Sequence, residues 1–226
     1  MTGTWIAVAA AAALIAGVAG RLLVGNLRRP RATMVDLEDS TSVDPGTGAV
    51  RSVQRADLLL DESALEELWT AENLERLART YWRFLTRVTL GILRVRYTES
   101  ERSVVLLLPQ LKLISFHAPE YEVDAMRGLV RWRIARGLLV SRRGRDGRGY
   151  LQIEVRRGSD PGAEEGLLHV EVEVANFYPS IASRLSQPVY NATQRRIHVL
   201  ITHAFLRSLA RLDLAESRVG RLAAQS

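Results

Sequence analysis

The chain has 226 residues, enough for one well-buried domain with attachments but not for two full domains. Apolar residues make up 47% of it and charged residues 25%, an ordinary globular composition that excludes wholesale disorder. There is no cysteine, which excludes disulfides, thiolate nucleophiles and sulfur-ligated metals, and the net charge of +6 comes from arginines interspersed with carboxylates.

The first apolar segment, Thr4 to Val24, predicts a membrane-spanning helix within a transmembrane anchor over residues 1–27. Roughly 20 residues at 1.5 Å each cross about 30 Å of hydrocarbon. Trp5 lies at one end, where an interfacial aromatic is expected, and Arg21 lies near the other, where its side chain can reach the headgroups. The alternatives are a cleaved secretory signal, which normally has a positively charged start, and a buried core helix.

The arginines around this segment predict its orientation. They follow the apolar run and none precedes it, so the positive-inside rule places the N-terminus outside and the globular domain in the cytoplasm. Arg28, Arg29 and Arg31 are also candidates for contact with anionic lipid headgroups.

Residues 28–54 have the composition of a flexible linker, with many Asp, Ser, Thr, Gly and Pro residues. We therefore expect the folded domain over 55–213 and a disordered tail over 214–226. Val50 to Leu60, which overlaps the end of the linker, is the only candidate for an N-terminal strand of the domain.

A helical pattern follows the linker. Ser63 and Glu66 match a capping box, and apolar residues then recur at three- and four-residue steps as far as Ile92. This predicts one long amphipathic helix, or two with a break near Thr70. Its aromatic side chains are interpreted as core rather than as a stacking platform for nucleic-acid bases; they are Trp69, Tyr81, Trp82 and Phe84.

From Leu93 the apolar period changes to two, which predicts short antiparallel strands joined by tight turns. Pro119 to Asp124 is either a loop or an irregular edge, and Asp146-Gly147 indicates a tight hairpin turn. The predicted strands are Leu93–Tyr97, Val104–Leu108, Leu111–Phe116, Gly128–Ile134, Leu138–Val140, Tyr150–Val155 and Leu168–Val174. A long amphipathic helix is predicted over Asn191–Leu212.

The last third carries a family resemblance. A wide strand ends in the aromatic-proline turn Phe177-Tyr178-Pro179, and Pro188 and Gln194-Arg195-Arg196 follow. With these pieces, Tyr150 to Leu212 resembles the C-terminal half of the START-like superfamily, often called SRPBCC, which includes polyketide cyclases and pollen-allergen proteins. The resemblance implies an α+β helix-grip fold, in which a curved antiparallel sheet grips a long C-terminal helix; here a single transmembrane helix would precede it. It also implies an apolar cavity suited to a lipid, sterol or polyketide-like ligand.

Strand parity and the resemblance together suggest which residues line that cavity or its mouth. These candidates are Phe116, Trp132, Tyr150, Phe177, Tyr178, His203 and Phe205. The arginine-rich hairpin adds candidate contacts with anionic headgroups at Arg142, Arg143 and Arg145. His198 and His203 are five residues apart and do not share a helix face, so no metal site is expected, and no motif indicates a cofactor or assigns a catalytic residue.

Three functions remain open. The first is a membrane-anchored domain that binds a hydrophobic small molecule or lipid. The second is a non-catalytic interaction module of a membrane complex, which would expose an apolar patch. The third is a cyclase- or hydrolase-type enzyme with an ionisable group in the cavity; a nucleic-acid partner is not expected.

Overall fold

The computed structural model describes residues 32–98, 100–158 and 165–179, together with Phe205, Leu206 and Leu209. Within this part of the chain there are nine strands, two α-helices and one 3₁₀ helix. In chain order they are β1 (Thr33–Val43), β2 (Val50–Asp61), α1 (Glu62–Leu68), α2 (Ala71–Val88), β3 (Leu93–Tyr97), β4 (Glu101–Leu106), β5 (Lys112–His117), β6 (Glu120–Val123), β7 (Arg127–Arg136), the 3₁₀ helix (Arg142–Arg145), β8 (Tyr150–Gly158) and β9 (Glu165–Phe177).

The strands form one antiparallel sheet in the order β1-β2-β9-β8-β7-β5-β4-β3, with β6 paired to β7 beside β5. The pairing of β2 with β9 joins the N-terminal hairpin to the last described strand. Because β5 and β6 both pair with β7, they act as one strand that bends at Ala118-Pro119, where proline lacks the N–H that a ladder needs. Register shifts in four of the pairings bend the sheet further.

One face of this sheet packs against the helices. Buried apolar residues of β2, β7, β8 and β9 alternate with outward-facing polar residues, as the period of two predicts. Helix α2 lays Leu74, Leu77, Ala78, Tyr81 and Trp82 on that inner face, where all five are buried. A curved antiparallel sheet with few helices fits the helix-grip class expected from the sequence.

The predicted linker over 28–54 is wrong wherever the structure describes it. β1 and β2 form a hairpin through the turn at Asp44 to Gly48, so the folded domain begins near Thr33 rather than at residue 55. β1 is an edge strand, and its outer side faces water, so it can carry the Asp, Glu, Ser and Thr residues that otherwise indicate a linker. The candidate N-terminal strand from Val50 to Leu60 is confirmed as β2.

The helical pattern divides into two helices, as one of the two alternatives predicted. Helix α1 begins after Asp61, which makes no side-chain capping hydrogen bond, so the capping box of Ser63 and Glu66 is not formed. The cap lies instead at the break: the Thr70 hydroxyl accepts a hydrogen bond from the backbone N–H of Asn73 at 3.1 Å and starts α2.

The connection between β7 and β8 differs from the prediction. Leu138–Val140 is not a strand; Val140 makes a single bridge to Pro179, and the 3₁₀ helix follows. Gly137 turns the chain out of β7 with a φ of +148°, and a Cβ there would lie 2.2 Å from the carbonyl oxygen of Leu113. Only glycine fits that approach.

No helix among the residues described is long and apolar enough to cross a membrane. The predicted membrane segment, Thr4 to Val24, lies outside those residues, as does most of the predicted C-terminal helix. Three residues of that helix are described: Phe205, Leu206 and Leu209 are helical, buried and part of the core.

Candidate functional site

A cavity of about 70 Å³ lies between the helical pair and one end of the sheet. Its floor is a single cross-strand row, in which Val170 of β9, Val155 of β8, Gly128 of β7 and Val123 of β6 are successive partners. Gly128 leaves the lowest point of this floor open, because a Cβ there would come within 2.9 Å of a methyl group of Val155. The absence of one side chain thus deepens the floor of the cavity.

Helices α1 and α2 form the roof of the cavity. Leu65 and Leu68 reach it from α1, and Leu74 and Leu77 reach it from α2, one turn apart on the same helix face. Leu209, from the stretch where the C-terminal helix is predicted, also lines it. The cavity is therefore enclosed by the sheet, by the helical pair and by Leu209.

Trp69 lies at the rim, in the junction between α1 and α2. Its indole N–H donates to the backbone carbonyl of Asp124 at 2.8 Å, which ties the junction to the turn after β6. The Arg157 guanidinium lies 5.7 Å from the ring centre and also pairs with Glu62. These contacts fix the ring beside Val123, which is 43% exposed and marks the mouth.

The lining offers almost no polar chemistry. Thr70 and Asn73 are its polar side chains among the residues described, and both are used within the helices. Thr70 caps α2, and the Asn73 amide donates to the carbonyl of Glu67 and accepts from Arg76. None of the described lining residues is ionisable, and no group of three or more potential metal ligands occurs in the described part of the chain.

Three of the predicted lining residues belong to a packed aromatic cluster instead. The rings of Phe116, Trp132 and Tyr81 surround Trp82 with centre-to-centre distances of 5.1 to 5.4 Å, mostly edge to face, and Phe205 packs on Tyr81 at 5.3 Å. Such pairs stabilise a core beyond their buried area. Phe116, Trp132 and Phe205 are fully buried and do not line this cavity.

The other candidates within the described residues also lie away from the cavity. Tyr150 lies on the outer face, where its hydroxyl donates to Glu173 at 3.0 Å and its ring contacts Arg131; burial and that hydrogen bond raise its pKa. Phe177 is buried at the end of β9, and Tyr178 stacks under Arg143 at 5.4 Å. His203, Arg28, Arg29 and Arg31 lie outside the described residues. The exposed Arg142, Arg143 and Arg145 form the 3₁₀ helix, at the end of the sheet opposite the cavity.

Sequence reasoning missed the cavity-lining residues because leucines and valines of a cavity have the same periodicity as those of a filled core. The one signal available was Gly128, a glycine that opens the predicted strand Gly128–Ile134, whose other residues are all large. The prediction chose mainly aromatic residues, but Phe116, Trp132 and Phe205 are packed in the core and do not line the cavity.

Two buried polar atoms have no hydrogen-bond partner within the described structure: Oε1 of Gln54 and Nε1 of Trp82. Gln54 lies on the inner face of β2, two residues from Ala56 and four from the cavity-lining Leu58. Its amide nitrogen donates to the Ser52 hydroxyl at 2.8 Å, which leaves the carbonyl oxygen alone. Uncompensated burial of such an atom costs about 1–3 kcal/mol.

The outer face of the sheet is occupied by ion pairs rather than by a site. Glu154 is buried there between Arg127 and Arg156 and also accepts a hydrogen bond from Gln152. Burial raises the pKa of the Glu154 carboxyl, but the hydrogen bonds from the two arginines outweigh it, and the pKa lies below its ordinary value. The carboxylate is therefore charged and fully hydrogen-bonded, and its contact with Arg127 links β7 to β8.

The sequence matches no protein-family model and no curated protein. Among solved structures, human StAR-related lipid transfer protein 5 is 11% identical with a TM-score of 0.36, over 89% of this chain and 96% of its own. CalU16 of Micromonospora echinospora is 13% identical with a TM-score of 0.27, over 79% and 90%. A norcoclaurine synthase point mutant from Thalictrum is 12% identical with a TM-score of 0.25, over 76% and 99%. All three TM-scores lie below 0.5, so the fold is described by its own strand order and helices.

Proposed function

We propose that this chain binds an apolar ligand, such as the acyl chain of a lipid, in the cavity between the helical pair and the sheet. The observation that carries the proposal is the lining: leucines, valines, Trp69 and a glycine enclose the space, and its two polar side chains are already hydrogen-bonded within the helices. Water gains little in such a space, whereas each buried methylene contributes about 0.8 kcal/mol.

The volume of the cavity suits the end of one acyl chain better than a whole lipid molecule. About 70 Å³ holds only a few atoms, so the ligand would insert its apolar end past Trp69 and Val123 and leave its polar end at the rim. Arg157, which lies over the Trp69 ring, is the cation placed to meet a headgroup there.

In this proposal the segment Thr4 to Val24 anchors the protein in the membrane, with the domain in the cytoplasm, and Arg28, Arg29 and Arg31 contact headgroups. Residues 25–32 would then link the bilayer to β1.

Native mass spectrometry of the full chain, released from detergent, tests the binding. We expect a discrete additional mass that survives detergent removal and disappears after organic extraction. A bare polypeptide mass that takes up nothing from a mixture of fatty acids and phospholipids would contradict the proposal and favour a protein-interaction module.

A further inference from the structure

The end of the sheet opposite the cavity exposes a cluster of leucines, here called the leucine tip. It consists of Leu90, Leu107, Leu108, Leu111 and Leu138, which come from three separate connections. Leu108 and Leu138 are 58% exposed, Leu107 is 56% exposed and Leu90 is 51% exposed; no other large hydrophobic residue in the described chain is as exposed as these four. Exposed apolar residues gathered at one end indicate an interaction surface.

Main-chain hydrogen bonds hold these connections together. The N–H of Leu107 donates to the carbonyl of Ile92 at 2.9 Å, which joins the β4–β5 turn to the loop after α2. The N–H of Leu138 donates to the carbonyl of Lys112 at 3.0 Å, which joins the turn after β7 to the same turn. The tip is therefore a built surface in which each leucine has a fixed place.

The backbone of the tip makes leucine an unfavourable choice. Leu90 has a φ of +56° and Leu107 a φ of +54°, the left-handed region that suits glycine or asparagine and costs other residues about 1–2 kcal/mol. Both positions are also exposed, where a polar side chain would be better solvated. Because neither the turn nor the core explains a leucine at these positions, an external apolar contact is the reason that remains.

Exposed cations lie at the same end of the sheet as the leucines. Two residues after Val140, the β7–β8 connection forms the 3₁₀ helix, whose Arg142, Arg143 and Arg145 are exposed. Arg143 is held by the carbonyl of Thr47 and the Tyr178 ring. Arg142 and Arg145 have no hydrogen-bond or ion-pair partner among the described residues. The nearby carboxylate of Asp146 is paired with Arg148.

We propose that the leucine tip docks on the surface of an anionic lipid bilayer. The leucines enter the boundary between headgroups and acyl chains, and the arginines of the 3₁₀ helix contact the headgroup phosphates. A bilayer fits better than a protein groove because the leucines project from three separate turns, and a deformable apolar layer accepts all of them without a shaped partner. This docking is independent of a ligand in the cavity.

The absence of cysteine from the chain permits a direct test. The full chain carrying Leu108→Cys and a polarity-sensitive fluorophore is reconstituted in vesicles of phosphatidylcholine alone or mixed with phosphatidylserine. We expect a blue shift of the emission in the mixed vesicles that added salt reduces, because salt screens headgroup contacts. The matched control is Met126→Cys, at the opposite end of β7 and 47% exposed, which should show the smaller shift.

Three further variants separate docking from folding. Each of Arg142→Gln and Arg145→Gln should lower the ratio of docked to undocked protein about fivefold, from about 1 kcal/mol per arginine. Leu107→Asn should preserve or raise the melting temperature, because asparagine accepts the left-handed backbone, and yet reduce docking. A shift that is the same without phosphatidylserine, or that is larger at position 126, would overturn the proposal. A shift that follows protein concentration rather than lipid composition would overturn it in favour of a second copy of the chain.

Discussion

At the scale of single residues, Gln54 and Gln152 form a natural pair for comparison, since both are buried glutamines of the same sheet. Both ends of the Gln152 amide are used: its oxygen accepts from Arg131 at 2.8 Å, and its nitrogen donates to Glu154 at 3.0 Å. Gln54 uses only its nitrogen, so its oxygen is desolvated without compensation. Identical side chains therefore contribute differently to stability.

Replacement of Gln54 by leucine should raise the free energy of unfolding of the ligand-free protein by about 1 kcal/mol, since it removes an unpaired buried acceptor. Ser52 keeps its hydrogen bond with Thr41, at 2.9 Å. The matched variant Gln152→Leu should instead destabilise the protein, because it leaves Arg131 and Glu154 without their partner. Urea titration of the two variants measures both effects. Equal destabilisation by both would show that the Gln54 oxygen has a partner after all.

Glu101 should make stability depend on pH in acid. Hydrogen bonds from Ser103, Ser115 and Lys112 lower its pKa to about 2 despite the opposing effect of burial. A carboxyl whose pKa is lower in the folded state stabilises the fold above its ordinary pKa, and that contribution disappears as the pH falls toward the folded value.

We therefore expect the wild type to lose on the order of 2 kcal/mol of its free energy of unfolding between about pH 4.5 and pH 2 through this one group. Glu101→Gln, which does not titrate, should lack that loss and be less stable at neutral pH. The exposed Glu67→Gln serves as control and should keep the acid profile of the wild type. An unchanged profile in Glu101→Gln would mean that the carboxyl is not stabilised by these contacts.

At the scale of elements, the start of α2 depends on Thr70, whereas the start of α1 has no side-chain cap. Thr70→Ala should lower the free energy of unfolding by about 1 kcal/mol, the usual cost of losing an N-cap. Ser63→Ala, at the position where the sequence suggests a capping box, should change it by less than half as much. Thermal denaturation of the two variants measures both changes. A larger loss of stability in Ser63→Ala than in Thr70→Ala would contradict the assignment of Thr70 as the cap.

Much of the element order can be read from the chain. Alternation within Leu93–Tyr97 and Gly128–Ile134 predicts strands that the structure contains as β3 and within β7, and the break between α1 and α2 falls where it was expected. β1 escaped prediction because an edge strand needs apolar residues on only one side and can be as polar as a linker. The C-terminal helix stays a prediction apart from Phe205, Leu206 and Leu209.

At the scale of the whole molecule, the two proposed sites lie at opposite ends of one sheet. The apolar cavity opens near the start of β1, and the leucine tip lies where β4 and β7 end. The cavity could not be located from sequence, since it arises where Val123, Gly128, Val155 and Val170 meet across four strands that are distant in the chain. Sequence patterns show which face is apolar, but not where the packing on that face is incomplete.

Blocking the mouth of the cavity tests the central claim most directly. Val123→Trp adds a large side chain at the mouth, and Tyr121→Trp makes a similar change two residues away on the same strand, outside the lining and at nearly equal exposure of 44%. Native mass spectrometry should show the extractable ligand mass on the wild type and on Tyr121→Trp, and its loss or strong reduction on Val123→Trp. A ligand mass that Val123→Trp retains in full would place the ligand elsewhere and contradict the cavity as the binding site.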